Sequence, residues 1–176
     1  MVDQAARIAD EKGWDQLTLA AVAEIFGVRQ PSLYKHVGSL ADLRREVTVR
    51  GARELSDDLM SSAVGRSGAT ALRAIAGAYR DFARRYPGRY AASVVAPAPG
   101  DVEHEKLAEK VIGVLAAVLD EYGLRGDDTI HAIRALRALM HGFVSLEAAG
   151  GFALPQDLDE SYRRLVDGFA QSLVRP

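Results

Sequence analysis

One short stretch holds most of the groups suited to recognition chemistry. In Gln30-Pro31-Ser32-Leu33-Tyr34-Lys35-His36-Val37, only Leu33 and Val37 are plain core residues. Gln30, Ser32 and Lys35 can hydrogen-bond base edges or phosphates, and Pro31 offers apolar contact to a thymine methyl. Tyr34 and His36 suit phosphate oxygens, contacts that fix register on a duplex without reading its sequence. So many polar and aromatic groups on a short helix point to double-stranded DNA. A helical hairpin that packs and binds nothing is the bland alternative.

The elements that must position these groups are also legible. Thr18 is placed to cap a helix over 19–26. Val22 and Phe26 lie one turn apart and are expected to face inward, and Ala23 leaves room for a second helix to cross close above it. Gly27 falls where the first helix must end with a positive φ. Val28 and Leu33 are expected to plug the angle between the two helices. Pro31 sits in the first turn of the second helix, where its missing N–H costs nothing. This spacing suits two short helices crossed steeply, a helix-turn-helix over about residues 18–37.

Other constellations are thinner. His141 reads as a polar anchor in a ligand pocket or as a hydrogen-bonded interior or interface histidine. Tyr79, Phe82, Tyr86, Phe143 and Phe152 read as pocket lining or as plain core, and pockets between helices mix both. Arg134 and Arg137 share a solvated or interface edge. Glu103, His104 and Glu105 are adjacent on a helix and point apart, which disfavours a metal. No His-x-x-x-His pair is present, and neither metal nor cofactor is expected. A Gly-rich phosphate loop and a nucleophile with an evident base are absent, so an enzyme is not expected.

The rest of the 176-residue chain reads as helices joined by short turns. Nine segments fit: 3–12, 19–26, 30–36, 40–63, 69–85, 87–95, 101–122, 127–149 and 157–174. The expected fold is therefore all-α, with a three-helix head over 1–40 and a ligand-binding and dimerisation domain over 41–176. Helix 127–149 has two faces. Ile130, Ile133, Leu136, Met140, Phe143 and Val144 make one. Ala132, Ala135, Ala138 and Gly142 beside Leu139 and Leu146 make the other, and small residues let helix axes approach closely.

Bulk properties narrow the setting. Hydrophobic residues are 48% and charged residues 26%, enough for a sizeable core. With no cysteine, disulfides and thiolate metal sites are excluded and a reducing compartment fits. No apolar run approaches a membrane span and no signal peptide is seen, so a cytoplasmic location is expected. Residues 1–50 hold seven Lys/Arg and seven Asp/Glu. Any positive patch in the head must therefore come from geometry, not from bulk charge.

At these residues the chain resembles the tetracycline-repressor (TetR) family. The resemblance begins at Glu11-Lys12-Gly13-Trp14 and runs through Thr18 to Ala23, Phe26-Gly27-Val28 and Gln30 to Val37, then Leu40 to Leu43. Leu33-Tyr34-x-His36 is its most specific mark. A second stretch, Met140-His141-Gly142 to Glu147 followed by Gly150-Gly151-Phe152, is similar to the effector domain of one branch with a His-Gly motif. The resemblance implies a homodimeric repressor on a palindromic operator, joined through 127–149 and 157–174 and released by a small-molecule effector. It implies DNA contacts from Thr18, Arg29, Gln30, Pro31, Ser32, Tyr34, Lys35 and His36. It leaves Tyr79, Phe82, Tyr86, His141 and Phe143 as effector-site candidates. Leu40 departs from the Lys that many members carry there, with Arg44 and Arg45 the next cations along that helix. No basic arm precedes Val2. The alternative function is a ligand-binding or protein-interaction module whose DNA-binding head is vestigial.

Overall fold

A computed structural model describes residues 1–174. All nine expected segments are helical. They are α1 (Val2–Lys12), α2 (Leu19–Ile25), a recognition segment (Gln30–Lys35), α3 (Leu40–Ala63), α4 (Gly68–Arg85), α5 (Pro87–Ser93), α6 (Val102–Asp120), α7 (Asp127–Ala148) and α8 (Leu158–Ser172). Two details differ from expectation. The recognition segment is wound as a 3-10 helix, and a further 3-10 turn occupies Trp14–Gln16. Short 3-10 pieces of this kind commonly connect or end α-helices.

The described residues form two compact units, 1–56 with 82–108, and 57–81 with 109–174. In the first, Ala5, Ile8, Leu17, Val22, Leu33, Leu43 and Val47 build one core from α1, α2, the recognition segment and α3. Helix α5 lies across α1 at very close range. A Cβ at Gly88 would overlap the Ala9 carbonyl and stand 2.5 Å from the Asp10 nitrogen. The crossing is pinned by Asp10, whose carboxylate accepts from the backbone N–H groups of Gly88 and Arg89 at 3.1 and 2.9 Å and from Arg89 Nε at 2.8 Å. These contacts also satisfy donors at the start of α5, which have no partner within that helix.

In the second unit, the 3.6-residue stripes find their burial. Leu72, Ile75, Ala76 and Tyr79 of α4 are buried, as are Leu115, Val118 and Leu119 of α6, and Tyr162, Val166 and Phe169 of α8. Helix α7 buries Ile133, Leu136, Met140 and Val144 and half-buries Phe143, but leaves Ala135, Ala138, Leu139, Gly142 and Leu146 exposed; against expectation Ala132 is buried and Ile130, near the start of the helix, is exposed. Its second face is uncovered in the single chain. Asp157 caps α8, accepting from the backbone N–H groups of Asp159 and Glu160 at 2.7 and 3.0 Å.

Candidate nucleic-acid interface

Local chemistry sets the frame of the helix-turn-helix. Thr18 is extended and its Oγ1 accepts from Ala21 N–H at 3.1 Å, capping α2. Gly27 turns the chain with φ of 62° and donates to the Glu24 carbonyl. Val28 N–H then returns to the Ala23 carbonyl at 3.1 Å. Arg29 is extended, and Pro31 enters the first turn of the recognition segment. Ser39 Oγ starts α3 by accepting from Asp42 N–H at 3.0 Å and donating to the Asp42 carboxylate at 2.9 Å.

Two packing expectations fail. Phe26 is 44% exposed and Val28 43% exposed. Phe26 caps α2 with helical backbone, its N–H still donating to the Val22 carbonyl at 3.3 Å, yet at the end of the helix its ring meets solvent and does not continue the buried stripe. Leu33 alone plugs the crossing, at 2% exposure.

The recognition segment therefore inserts one side chain and offers the rest to solvent. Gln30, Pro31, Ser32, Lys35 and His36 are exposed, and Tyr34 is 54% exposed. An open depression brings Thr18, Gln30 and Tyr34 together with Ser39 and Leu40, joining the starts of α2 and α3 to the recognition segment. Arg29, Ser32, Lys35 and His36 lie outside its lining. An exposed run of donors braced by a single buried leucine is the shape that a major groove admits.

The two cations next along α3 are engaged inside the protein. Arg44 donates to the Leu17 carbonyl at 3.1 Å and lies 5.7 Å from the centre of the Trp14 ring. Its Nε is buried without a partner among the described residues. Arg45 grips Asp101 with two hydrogen bonds of 2.7 and 2.6 Å. That grip, with help from His104 N–H and against some desolvation, holds the Asp101 carboxyl below the usual carboxylate range.

The five effector-site candidates fall into separate settings. Phe82 is fully buried and meets Tyr86 edge-on at 5.4 Å, with Arg89 over the other ring at 3.7 Å. Tyr79 is buried. Phe143 packs against Phe152 and Tyr162, at 4.8 and 4.9 Å between ring centres. Burial raises the Tyr162 phenol, whose O–H donates to the Ala76 carbonyl at 2.9 Å. His141 is half-buried, with Nε2 at 3.5 Å from Ser145 Oγ. None of the five lines the open apolar groove of about 490 Å³ walled by Met60, Val64, Val114, Ala117 and Val118, with Arg66 and Glu121 at its rim. The signals for that groove were present as Met60/Val64 and Val114/Ala117/Val118, spaced one helical turn apart.

Comparisons agree with this geometry. Residues 1–47 match the model of bacterial regulatory proteins of the tetR family, and residues 72–169 match that of the tetracyclin repressor-like C-terminal domain. The HTH-type transcriptional regulator YobS of Bacillus subtilis is 37% identical over 99% of this chain and 91% of its own length. An HTH-type transcriptional regulator of Mycobacterium tuberculosis is 39% identical over 85% of this chain and 69% of its own. Among solved structures, the TetR family regulator PfmR of Thermus thermophilus superposes with a TM-score of 0.70 at 21% identity, over 99% and 98% of the two chains. A TetR variant of Acinetobacter baumannii in complex with minocycline gives 0.70 at 19% identity, over 99% and 96%.

Proposed function

Because the chain belongs to the TetR family of DNA-binding transcriptional regulators, we propose that it is a homodimeric repressor that a small-molecule effector releases from a palindromic operator. The observation that carries this reading is the recognition segment, which spends one residue on packing and exposes the rest. Residues 1–40 read DNA through Thr18, Arg29, Gln30, Pro31, Ser32, Tyr34, Lys35 and His36. Residues 41–176 dimerise and take the effector.

The uncovered face of α7 supports a twofold seam with α8, since small residues permit close helix approach. Two recognition segments then read half-sites roughly 34–36 Å apart, one turn of DNA. The effector acts only through its different affinities for the two head spacings. Tyr79, His141 and Phe143, which belong to one compact unit, are its proposed contacts. Among the described residues no helix is long and apolar enough to cross a membrane, which supports a cytoplasmic place of action.

The test is footprinting of the purified protein on the DNA just upstream of its own gene. A protected palindrome of about 15–25 base pairs is expected. Absence of protection there at every salt concentration would count against autoregulation and leave the vestigial-head alternative standing.

A further inference from the structure

The head is neutral in bulk, so its attraction to DNA depends on which cations the fold leaves unpaired. Seven Lys/Arg lie in residues 1–50. Arg7 pairs with Glu11, and Arg50 pairs with Asp3 and Glu54. Arg45 is held by Asp101 and also meets Glu46 and Glu103. Asp101 is 11% exposed and Arg45 42% exposed, so the pair stands half open to solvent and is held by its two-point geometry. Arg44 is turned inward onto Trp14 and the Leu17 carbonyl. Lys12, in the last turn of α1 ahead of the helix-turn-helix, is exposed and has no carboxylate partner among the described residues. Within the helix-turn-helix, Arg29 and Lys35 are left. They bracket the recognition segment, are exposed, and have no carboxylate partner among the described residues.

We infer that, of the cations on the helix-turn-helix and α3, Arg29 and Lys35 alone neutralise operator phosphates, and that Arg44 and Arg45 act as positioning residues. Arg44 fixes the carbonyl of Leu17, one residue before the Thr18 cap, and so sets the direction in which α2 starts. Arg45 ties α3 to Asp101 at the start of α6, 56 residues away. The inference rests on the DNA-binding reading above and assigns roles within that site.

Salt dependence separates the two roles. Each phosphate neutralised contributes about −0.9 to the slope of log K against log salt, so two heads with two cations each give a slope near −4. The measurement is fluorescence anisotropy on a labelled duplex of the protected upstream sequence across a salt series. Arg29→Gln and Lys35→Gln should each flatten the slope by about two per dimer. Arg44→Met should weaken binding by roughly tenfold with the slope unchanged, because a hydrogen bond from a charged group is lost while no phosphate contact is. Arg45→Met should also keep the slope. If Arg45→Met fails to fold, Arg45→Met with Asp101→Leu removes both charges together and avoids an orphaned carboxylate. A slope flattened by Arg44→Met, by Arg45→Met or by that double variant overturns the inference. So does an unaltered slope in Arg29→Gln and Lys35→Gln. Failure of the unaltered protein to bind any duplex sinks the DNA-binding reading itself, and the two failures are thereby distinguished.

Discussion

Arg80 of α4 binds Glu147 of α7 through two hydrogen bonds, 2.8 Å from Nε and 2.7 Å from Nη2. The side chains are 7% and 12% exposed. The same guanidinium donates to Asp159 at 2.8 Å and lies over Phe143 and Tyr162, at 5.3 and 5.0 Å from their ring centres. One cation thus joins α4, α7 and the first turn of α8. Removing one member of such a pair leaves a desolvated charge. Glu147→Ala is expected to lower unfolding free energy by about 3–5 kcal/mol. Glu147→Gln should cost less, since its carbonyl oxygen still accepts. Urea denaturation followed by circular dichroism checks both, and equal losses for the two variants would mean that the retained carbonyl acceptor contributes nothing.

Tyr34 is more than half exposed and touches the same depression as Thr18 and Gln30. Tyr34→Ala should abolish operator binding while leaving thermal stability within about 0.5 kcal/mol, as for surface sites generally. Sedimentation should show an unchanged oligomeric state. Loss of the dimer would contradict the division of labour between head and body.

Gly88 has an ordinary φ, and what it needs is room. Any side chain there meets backbone of α1, which cannot move aside as a side-chain tip would. Gly88→Ala should destabilise the head unit by about 3 kcal/mol, at the severe end of overpacking. Hydrogen exchange should show α1 and α5 losing protection together. An unchanged exchange pattern would mean that the crossing relaxes freely.

Several carboxylates titrate low in the folded chain. Hydrogen bonds from Arg163 and Arg164 bring Glu160 down to about 2, and those from Arg45 lower Asp101. Each folded value lies below the unfolded one. Their stabilisation is therefore complete above about pH 5, the upper edge of ordinary carboxylate titration, and is lost as pH falls toward about 2. Acid unfolding monitored by circular dichroism should begin in that window. Asp101→Asn should reduce the steepness of the loss. A chain whose stability rises on acidification would contradict this sign.

The Thr18 cap is a single hydrogen bond on a helix of seven residues. Thr18→Ala should cost about 1 kcal/mol, and Thr18→Ser should restore most of it. Thermal melting of the two variants measures the difference.

The elements were legible in the sequence because helix formation is periodic and local. The stripe Leu72, Ile75, Ala76, Tyr79 and Phe82 announces a buried face, and all five are buried. Gly27 and Pro31 announce a turn and a helix start, and each performs that role. Of the two core residues that the recognition stretch offers, Leu33 is buried and Val37 half-buried. Tertiary structure decided what periodicity does not encode. Phe26 and Val28 are apolar, yet both lie exposed where α2 ends and the turn begins. Phe82 and Phe143, named together as candidate ligand contacts, belong to different compact units. Glu147 stands in a recognisable stretch, but its partner lies 67 residues earlier. The availability of Arg44 and Arg45 was likewise undecided, since a charge in a sequence carries no record of its partner. An ion pair needs two groups within a few ångströms, and only the packed fold supplies that distance.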